Sequence, residues 1–187
     1  MNVYGGTHVT ALIQVGLIYG STRSGRFCDR VAQWAGQQAA KAGFEVEAID
    51  PAKLSEGDEL RKRVGACDAF VVVTPEYNHG YPAPLKALID SVGAEWQAKP
   101  VAFVSYGGIS GGLRAVEQLR LVFAELHAVT VRDSVSFAGA WDQFDAAGTL
   151  LRPEHAERSM RTMLARLHWW AAALSTARAT TPFESAA

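Results

Sequence analysis

The chain of 187 residues carries a net charge of −1 and is 49% hydrophobic, which predicts one globular domain with a well-filled core. The balanced charge disfavours nucleic acid as a partner, and it also disfavours a small acidic electron carrier that docks by charge. No apolar segment approaches the length of a membrane span, and the first ten residues lack the basic start of a signal peptide. We therefore expect a cytoplasmic protein that does not interact with membranes.

Five apolar segments alternate with segments of helical periodicity along the chain. The predicted strands are Leu12–Tyr19, Phe44–Asp50, Ala69–Val73, Val101–Tyr106 and Val129–Phe137. The predicted helices are Asp29–Lys41, Asp58–Val64, Ala83–Val92, Leu113–His127 and a last helix that opens at Pro153. We expect a flexible leader over residues 1–11, a single domain over 12–177 and a frayed tail over 178–187.

Strands that alternate with helices are joined by right-handed crossovers into a parallel sheet. At this length the pattern predicts a three-layer α/β fold of the flavodoxin-like type, with strand order 2-1-3-4-5 and helices on both faces. Ala69–Val73 is the most uniformly apolar segment and is typical of a central strand. In this strand order, ligands bind outside the carboxyl ends of the first, third and fourth strands, and a loop of unusual composition follows each of them.

The first of these loops, Gly20–Arg26, is rich in hydroxyl and guanidinium groups and leads into a helix. Free N–H groups and the positive end of a helix dipole favour an anion there, so Ser21, Thr22, Arg23 and Arg26 are candidate phosphate ligands. A P-loop is excluded because no Lys follows the second glycine, and the dinucleotide fingerprint is excluded because its third glycine is missing. The alternative interpretation is an ordinary turn with surface arginines.

The second loop, Thr74–Pro82, offers flat side chains and hydrogen-bonding groups for a planar heterocycle. The third loop, Gly107–Gly112, has four glycines within six residues, so its backbone can approach a flat ring closely and donate N–H groups to it. A proline-rich turn and a flexible linker are the respective alternatives. A phosphate cradle together with two loops for a planar polar ring describes a site for flavin mononucleotide (FMN).

Three motifs carry a resemblance to a known family. Gly20-Ser21-Thr22-Arg23, Thr74-Pro75-Glu76-Tyr77-Asn78 and Gly107-Gly108-Ile109-Ser110-Gly111-Gly112 resemble, in this order, the signature of the NADPH-dependent FMN reductase family. The resemblance extends over roughly Ile13 to Val135. It implies a homodimer or homotetramer that uses FMN and NADPH or NADH.

The resemblance also implies roles for individual residues. It places the FMN phosphate on the first loop, with contacts from Ser21, Arg23 and Arg26, and the flavin along the second and third loops. The flavin contacts it implies come from Pro75, Glu76, Tyr77, Asn78, Gly107 and Gly108. The implied reaction passes hydride from NAD(P)H through the flavin to a flavin, quinone or similar small acceptor, with no catalytic side chain and no metal.

Several assignments stay open at this point. A flavodoxin-type electron carrier, a non-catalytic FMN-binding sensor and a flavin-free Rossmann dehydrogenase are the rival functions. His79 is a possible proton donor, and Trp96 is either an interface residue or peripheral packing. Asp50 ends the second strand, where a Rossmann domain holds a ribose, but a turn before Pro51 is the favoured interpretation. Cys28 and Cys67 are interpreted as reduced structural thiols, with a lowered pKa at Cys28 as the alternative.

Overall fold

The computed structural model describes residues 12–54 and 57–186, so the predicted leader at residues 1–11 lies outside the described residues. Its strands are β1 (Gln14–Tyr19), β2 (Glu45–Ile49), β3 (Ala69–Pro75), β4 (Pro100–Gly107) and β5 (Val129–Ala138). Its helices are α1 (Cys28–Lys41), α2 (Asp58–Ala66), α3 (Ala83–Asp90), α4 (Leu113–Glu125) and α5 (Pro153–Thr180). Every predicted strand and helix is present, with ends that differ by a few residues.

The five strands form one parallel sheet in the order β2-β1-β3-β4-β5, which confirms the predicted fold. The central strand, β3, is buried at all seven positions because helices cover both faces of the sheet. Since all the strands are parallel, their carboxyl ends meet at one edge of the sheet. The three loops of unusual composition therefore emerge side by side.

Alternate residues of each central strand enter two separate hydrophobic cores, as the two-residue period of a strand requires. Val71 and Val73 of β3 lie in the core formed with α1 and α5. Phe70 and Val72 lie in the core that includes residues of α2, α3 and α4. This double packing fixes the register of β3 and hence the position of the loop that follows it.

Trp96 is fully buried, so the proposal that it is an interface residue is wrong, and peripheral packing understates its role. Its ring packs edge-on against Phe70 and Phe123, and its Nε1–H donates to the carbonyl oxygens of Ile89 and Val92, at 3.1 Å each. The indole N–H therefore pairs with backbone carbonyls at and just after the end of α3, while the ring fills the core. Its position in a short linker between two predicted elements did not indicate this.

The end of the chain is more ordered than a frayed tail over 178–187 would be. Helix α5 continues to Thr180, and residues Phe183–Ala186 form a 3₁₀ turn. The Arg178 guanidinium explains the extension, because Nη1 donates to the carbonyl oxygen of Ala98 at 2.6 Å and Nη2 lies 3.6 Å from an Asp68 carboxylate oxygen. A tertiary contact thus holds the last turn of the helix.

Both cysteines are buried free thiols that form no disulfide. Burial raises the pKa of Cys28 to about 11 and that of Cys67 to about 12, so neither thiol is activated. The structural interpretation of Cys28 is confirmed, although it lies at the first residue of α1. None of the helices in the described ranges combines the length and the apolar character that are needed to cross a membrane.

Candidate functional site

Side chains join the first and second loops directly. The hydroxyl oxygens of Ser21 and Tyr77, 56 positions apart in the chain, lie 2.8 Å from each other. The Arg23 guanidinium carbon lies 3.6 Å from the centre of the Tyr77 ring, which is a cation–π contact. The fully buried Ser21 therefore holds the Tyr77 hydroxyl, while the Arg23 guanidinium covers one face of the Tyr77 ring.

The second and third loops are joined through the carboxylate of Glu76. One of its oxygens accepts from the Ser110 hydroxyl at 2.7 Å and from the backbone N–H of Arg114 at 3.1 Å. The other accepts from Arg114 Nη1 at 2.7 Å. Burial would raise the pKa of Glu76, but these donors outweigh it and hold the pKa below its ordinary value. The carboxylate thus serves to hold two loops together.

These loops enclose a cavity of about 530 Å³, within the range of small-molecule sites. Six of the ten predicted site residues line it: Arg23, Arg26, Pro75, Glu76, Tyr77 and Gly107. The other four are not among its lining residues. Ser21 is buried and bonded to the Tyr77 hydroxyl, and Thr22, Asn78 and Gly108 are exposed in the same three loops.

The first loop presents backbone donors that the rest of the described structure leaves free. Among the described residues, no acceptor is paired with the N–H groups of Thr22, Ser24 or Gly25, and all three residues are exposed. The loop runs directly into the first turn of α1, whose dipole adds positive potential. This donor set has the chemistry of a phosphate cradle.

The tip of the second loop is a tight turn whose conformation decides where its side chains go. Tyr77 and Gly80 exchange backbone hydrogen bonds of 2.9 and 3.0 Å around Asn78 and His79. Both central residues have positive φ, 50° and 70°, as a type I′ turn requires, and Asn tolerates this better than most residues. Neither lines the cavity, and both are exposed, so no described contact holds the His79 ring in the cavity.

Two of the four glycines in the third loop are required by packing. Gly111 and Gly112 have positive φ, and a Cβ on Gly112 would lie 2.8 Å from the Cβ of Ser105. The Gly111 carbonyl accepts from the hydroxyls of Ser105 and Ser136, at 2.8 and 2.9 Å. Gly108, by contrast, is exposed and would meet nothing within 4 Å. The open side of the loop is therefore at Gly108, whereas Gly107 is buried against the Gly112 backbone.

Arg26 lines the cavity but directs its guanidinium largely to the protein. It forms a fork with the Asp50 carboxylate, with Nη1–Oδ1 at 2.7 Å and Nη2–Oδ2 at 2.5 Å, and its Nε lies 2.8 Å from Asp29 Oδ1. Asp50 is thus more than a turn residue before Pro51. Sequence reasoning missed this pair because its members lie 24 positions apart.

Five further residues line the cavity that sequence reasoning did not select: Gly25, Phe27, Arg30, Tyr106 and Trp141. Phe27 is stacked with Trp141, with ring centres 6.1 Å apart, and Trp141 is 60% exposed. The available signal was topological, because Trp141 follows β5, which ends at the same edge of the sheet as the three selected loops. An exposed tryptophan at that edge is a reason to include the fourth loop.

A larger depression, of about 690 Å³, lies elsewhere, between the end of α1 and the amino-terminal half of α5. Its lining includes Ala42 and Phe44, which precede β2, so it opens at the amino end of the sheet. Volume alone would favour this depression as the binding site, but the loops that carry hydrogen-bond donors and charge are at the carboxyl end of the sheet. In the described part of the chain, no group of three or more His, Cys, Asp or Glu side chains is arranged to hold a metal ion.

Comparison with known proteins decides the family. The model of the family described as NADPH-dependent FMN reductase matches residues 13–142. The chain belongs to this family. The match covers all three loops and extends through the segment that carries Trp141.

Two relatives and one solved structure illustrate the similarity. An NAD(P)H-dependent FMN reductase of Schizosaccharomyces pombe is 36% identical over 117 residues, which are 51% of this chain and 58% of the yeast protein. An NAD(P)H:quinone oxidoreductase of Solanum tuberosum is 31% identical over 82% of this chain and 91% of its own length. The flavoenzyme FerB of Paracoccus denitrificans has the same fold, with a TM-score of 0.69 over 85% of this chain and 97% of FerB, at 21% identity.

The predicted family, fold and enzyme class are therefore confirmed, as are FMN and NAD(P)H as the cofactors that the family uses. The contacts of individual residues with FMN remain predictions. The chain spans only 58% of the yeast relative, whereas it spans nearly all of the potato enzyme.

Proposed function

We propose that this FMN reductase passes hydride from NAD(P)H through FMN held in the 530 Å³ cavity to a flavin, a quinone or a similar small acceptor. The single observation that supports the site most strongly is the Ser21–Tyr77 hydrogen bond. It joins a loop with free phosphate-binding N–H groups to a loop with a flat aromatic surface. When bound, FMN supplies the two-electron chemistry, and the protein supplies position and electrostatics.

The residues present fit an FMN phosphate and ring. The free N–H groups of Thr22, Ser24 and Gly25 and the Arg23 guanidinium form a donor set for a dianion. In the described chain, no carboxylate lies within ion-pair distance of Arg23, so its charge is available to a ligand. Pro75, Tyr77 and Gly107 line the part of the cavity that we assign to the ring, and the exposed Asn78 and Gly108 follow in the same loops.

Glu76 supports this site indirectly, since its oxygens are occupied by Ser110 and Arg114. Within the proposal it orients the second and third loops relative to each other. Arg26 faces the cavity but shares its charge with Asp50 and Asp29. We therefore assign the direct phosphate contact to Arg23 before Arg26.

A homodimer or homotetramer in the cytoplasm is the second part of the proposal. Ile109 lies in the glycine loop and Leu113 directly follows it, and both are exposed, as is Leu121 further along α4. Exposed apolar residues grouped beside a site support a subunit interface there. The two buried thiols are typical of a reducing compartment. Light scattering on the wild type and on Leu121→Glu measures whether this face holds subunits together.

An absorption spectrum of the purified protein tests the redox function. We expect a yellow protein, or one that becomes yellow with added FMN, and we expect anaerobic NADPH to bleach it. Added FMN or a quinone should then support steady oxidation of NADPH. A yellow protein that NADPH does not reduce would instead be a flavodoxin-type carrier or an FMN-binding sensor, and one that never takes up FMN would be a flavin-free dehydrogenase.

A further inference from the structure

Arg26 is the last residue of the first loop. Its side chain is only 7% exposed, and that of its partner Asp50 is 6% exposed. Besides the fork to Asp50 and the bond to Asp29, Nη1 also donates to the backbone carbonyl oxygen of Ser21. One guanidinium group therefore links the end of β2, the start of α1 and the loop between β1 and α1.

The Asp50 end of this link is itself firmly held. Asp50 Oδ1 accepts from the Ala52 N–H at 3.0 Å, and the Asp50 carbonyl accepts from the N–H groups of Lys53 and Leu54, at 2.9 Å each. Burial would raise the pKa of Asp50, but the bonds from Arg26 and Ala52 outweigh it and keep the pKa below its ordinary value. Asp50 is therefore a fixed anion at the edge of the sheet.

The bond to the Ser21 carbonyl has a consequence for the next residue. In a trans peptide the C=O and the N–H of one unit point in opposite directions, and no cis peptide occurs in the described residues. Holding the Ser21 carbonyl toward Arg26 therefore turns the Thr22 N–H away from Arg26. That N–H is one of the loop donors for which the described structure provides no acceptor.

A buried ion pair is weak support for stability, because the desolvation of two charges offsets their attraction. Its benefit is geometric, since the fork fixes the orientation of the guanidinium plane. Two carboxylates also balance the Arg26 charge, whereas Arg23 has no such partner in the described chain. The contacts of Arg26 therefore indicate a role in orienting the first loop.

We propose that Asp50 and Arg26 are positioning residues, a buried strut that holds the Ser21–Thr22 peptide so that the first loop presents its N–H groups to the FMN phosphate. The inference rests on the proposed function, because it assumes that this loop takes the phosphate. It assigns discrimination between phosphorylated and unphosphorylated flavin to a pair of residues of which neither needs to contact the flavin ring.

The test compares the binding of FMN with that of riboflavin, which lacks the phosphate, by titration of flavin fluorescence. The variants are Asp50→Asn, Arg26→Ala and the double substitution. We expect each single variant to weaken FMN binding roughly tenfold or more while riboflavin affinity stays within about twofold. The double variant should lose no more FMN affinity than the weaker-binding single variant, because both changes break the same strut.

Glu47→Gln is the matched control. Glu47 lies on β2, which Asp50 directly follows, and it pairs with Arg63 at 2.9 Å, away from the first loop, so its loss should leave both affinities unchanged. Retained riboflavin binding shows that a variant is folded. Arg26→Lys keeps the charge but lacks the fork, and it should behave like Arg26→Ala.

Three results would overturn the inference. Asp50→Asn that binds FMN as tightly as the wild type would mean that Arg26 needs no partner, and losses that add in the double variant would mean two independent roles. Equal weakening of FMN and riboflavin would indicate general damage rather than positioning. A wild type that binds neither flavin would instead refute the proposed function itself.

Discussion

At the scale of single residues, the site depends on pairwise side-chain contacts that few substitutions can preserve. The contacts of Tyr77 show this well, because its hydroxyl meets Ser21 while its ring carries the Arg23 guanidinium. Removal of either partner leaves the ring in place but removes a restraint on it. The energetic effect of each contact can therefore be measured separately.

Arg23→Ala should weaken FMN binding about tenfold to a hundredfold, because a phosphate dianion loses a charge-assisted partner. Riboflavin binding should change little. Arg132→Ala is a suitable control, since the Arg132 side chain is 95% exposed and lies on β5. Wild-type affinity for FMN in purified Arg23→Ala would contradict the placement of the phosphate.

Tyr77→Phe removes the hydroxyl that meets Ser21 and keeps the ring. One hydrogen bond of ordinary strength predicts a rise in the FMN dissociation constant of about three- to tenfold. Tyr81→Phe, on the same loop, should leave the constant unchanged, because no bond to the Tyr81 hydroxyl occurs among the described residues. Equal behaviour of the two variants in the titration would show that the Ser21 contact does not order the site.

At the scale of elements, the loops are specified as much by close packing as by their ligand. Gly112 adopts φ 86° just before α4, and its α-carbon approaches the backbone of Tyr106 so closely that a Cβ would lie 3.0 Å from the Tyr106 nitrogen. Nearby Gly108 has open space around it. The same motif therefore contains one glycine that close packing requires, Gly112, and one that it does not, Gly108.

Gly112→Ala should lower the free energy of unfolding by about 2–4 kcal/mol, because it combines a left-handed backbone with a steric overlap. Gly108→Ala should change it by less than about 0.5 kcal/mol. Urea denaturation of both variants measures the difference. If both variants were equally stable, the packing role assigned to Gly112 would be wrong.

At the scale of the whole molecule, a buried amine ties two parts of the chain together. Lys99 Nζ donates to the carbonyl oxygens of Val64 and Gly65, at 2.9 and 2.8 Å, and so caps the end of α2 from the start of β4. Burial, assisted by the nearby Arg178 charge, lowers the pKa of Lys99 to about 8. The fold thus stabilises the neutral amine relative to the charged one.

This pKa predicts a pH dependence of stability. Between about pH 8 and the ordinary lysine value of 10.5, the unfolded chain binds a proton that the folded chain has released, so the Lys99 contribution to stability rises with pH. Urea denaturation over this range measures the free energy of unfolding at each pH. That free energy should rise more steeply with pH in the wild type than in Lys99→Met. Parallel pH profiles of the two proteins would contradict it.

The sequence by itself determined the order of the strands and the identity of the three loops. Both follow from local information, since periodicity sets each element and parallel connections bring all carboxyl ends to one edge. The motifs Gly20–Arg23, Thr74–Asn78 and Gly107–Gly112 are therefore assignable to one site from the sequence alone. The family match over residues 13–142 agrees with that assignment.

Only the tertiary structure decided which side chains meet. Arg26 pairs with Asp50, Trp96 enters the core and Trp141 joins the cavity, and none of these contacts has a signal in local spacing. The physical reason is that hydrogen bonds, ion pairs and ring contacts act over a few ångströms in space. Residues far apart in the chain become neighbours only after the sheet has brought them together.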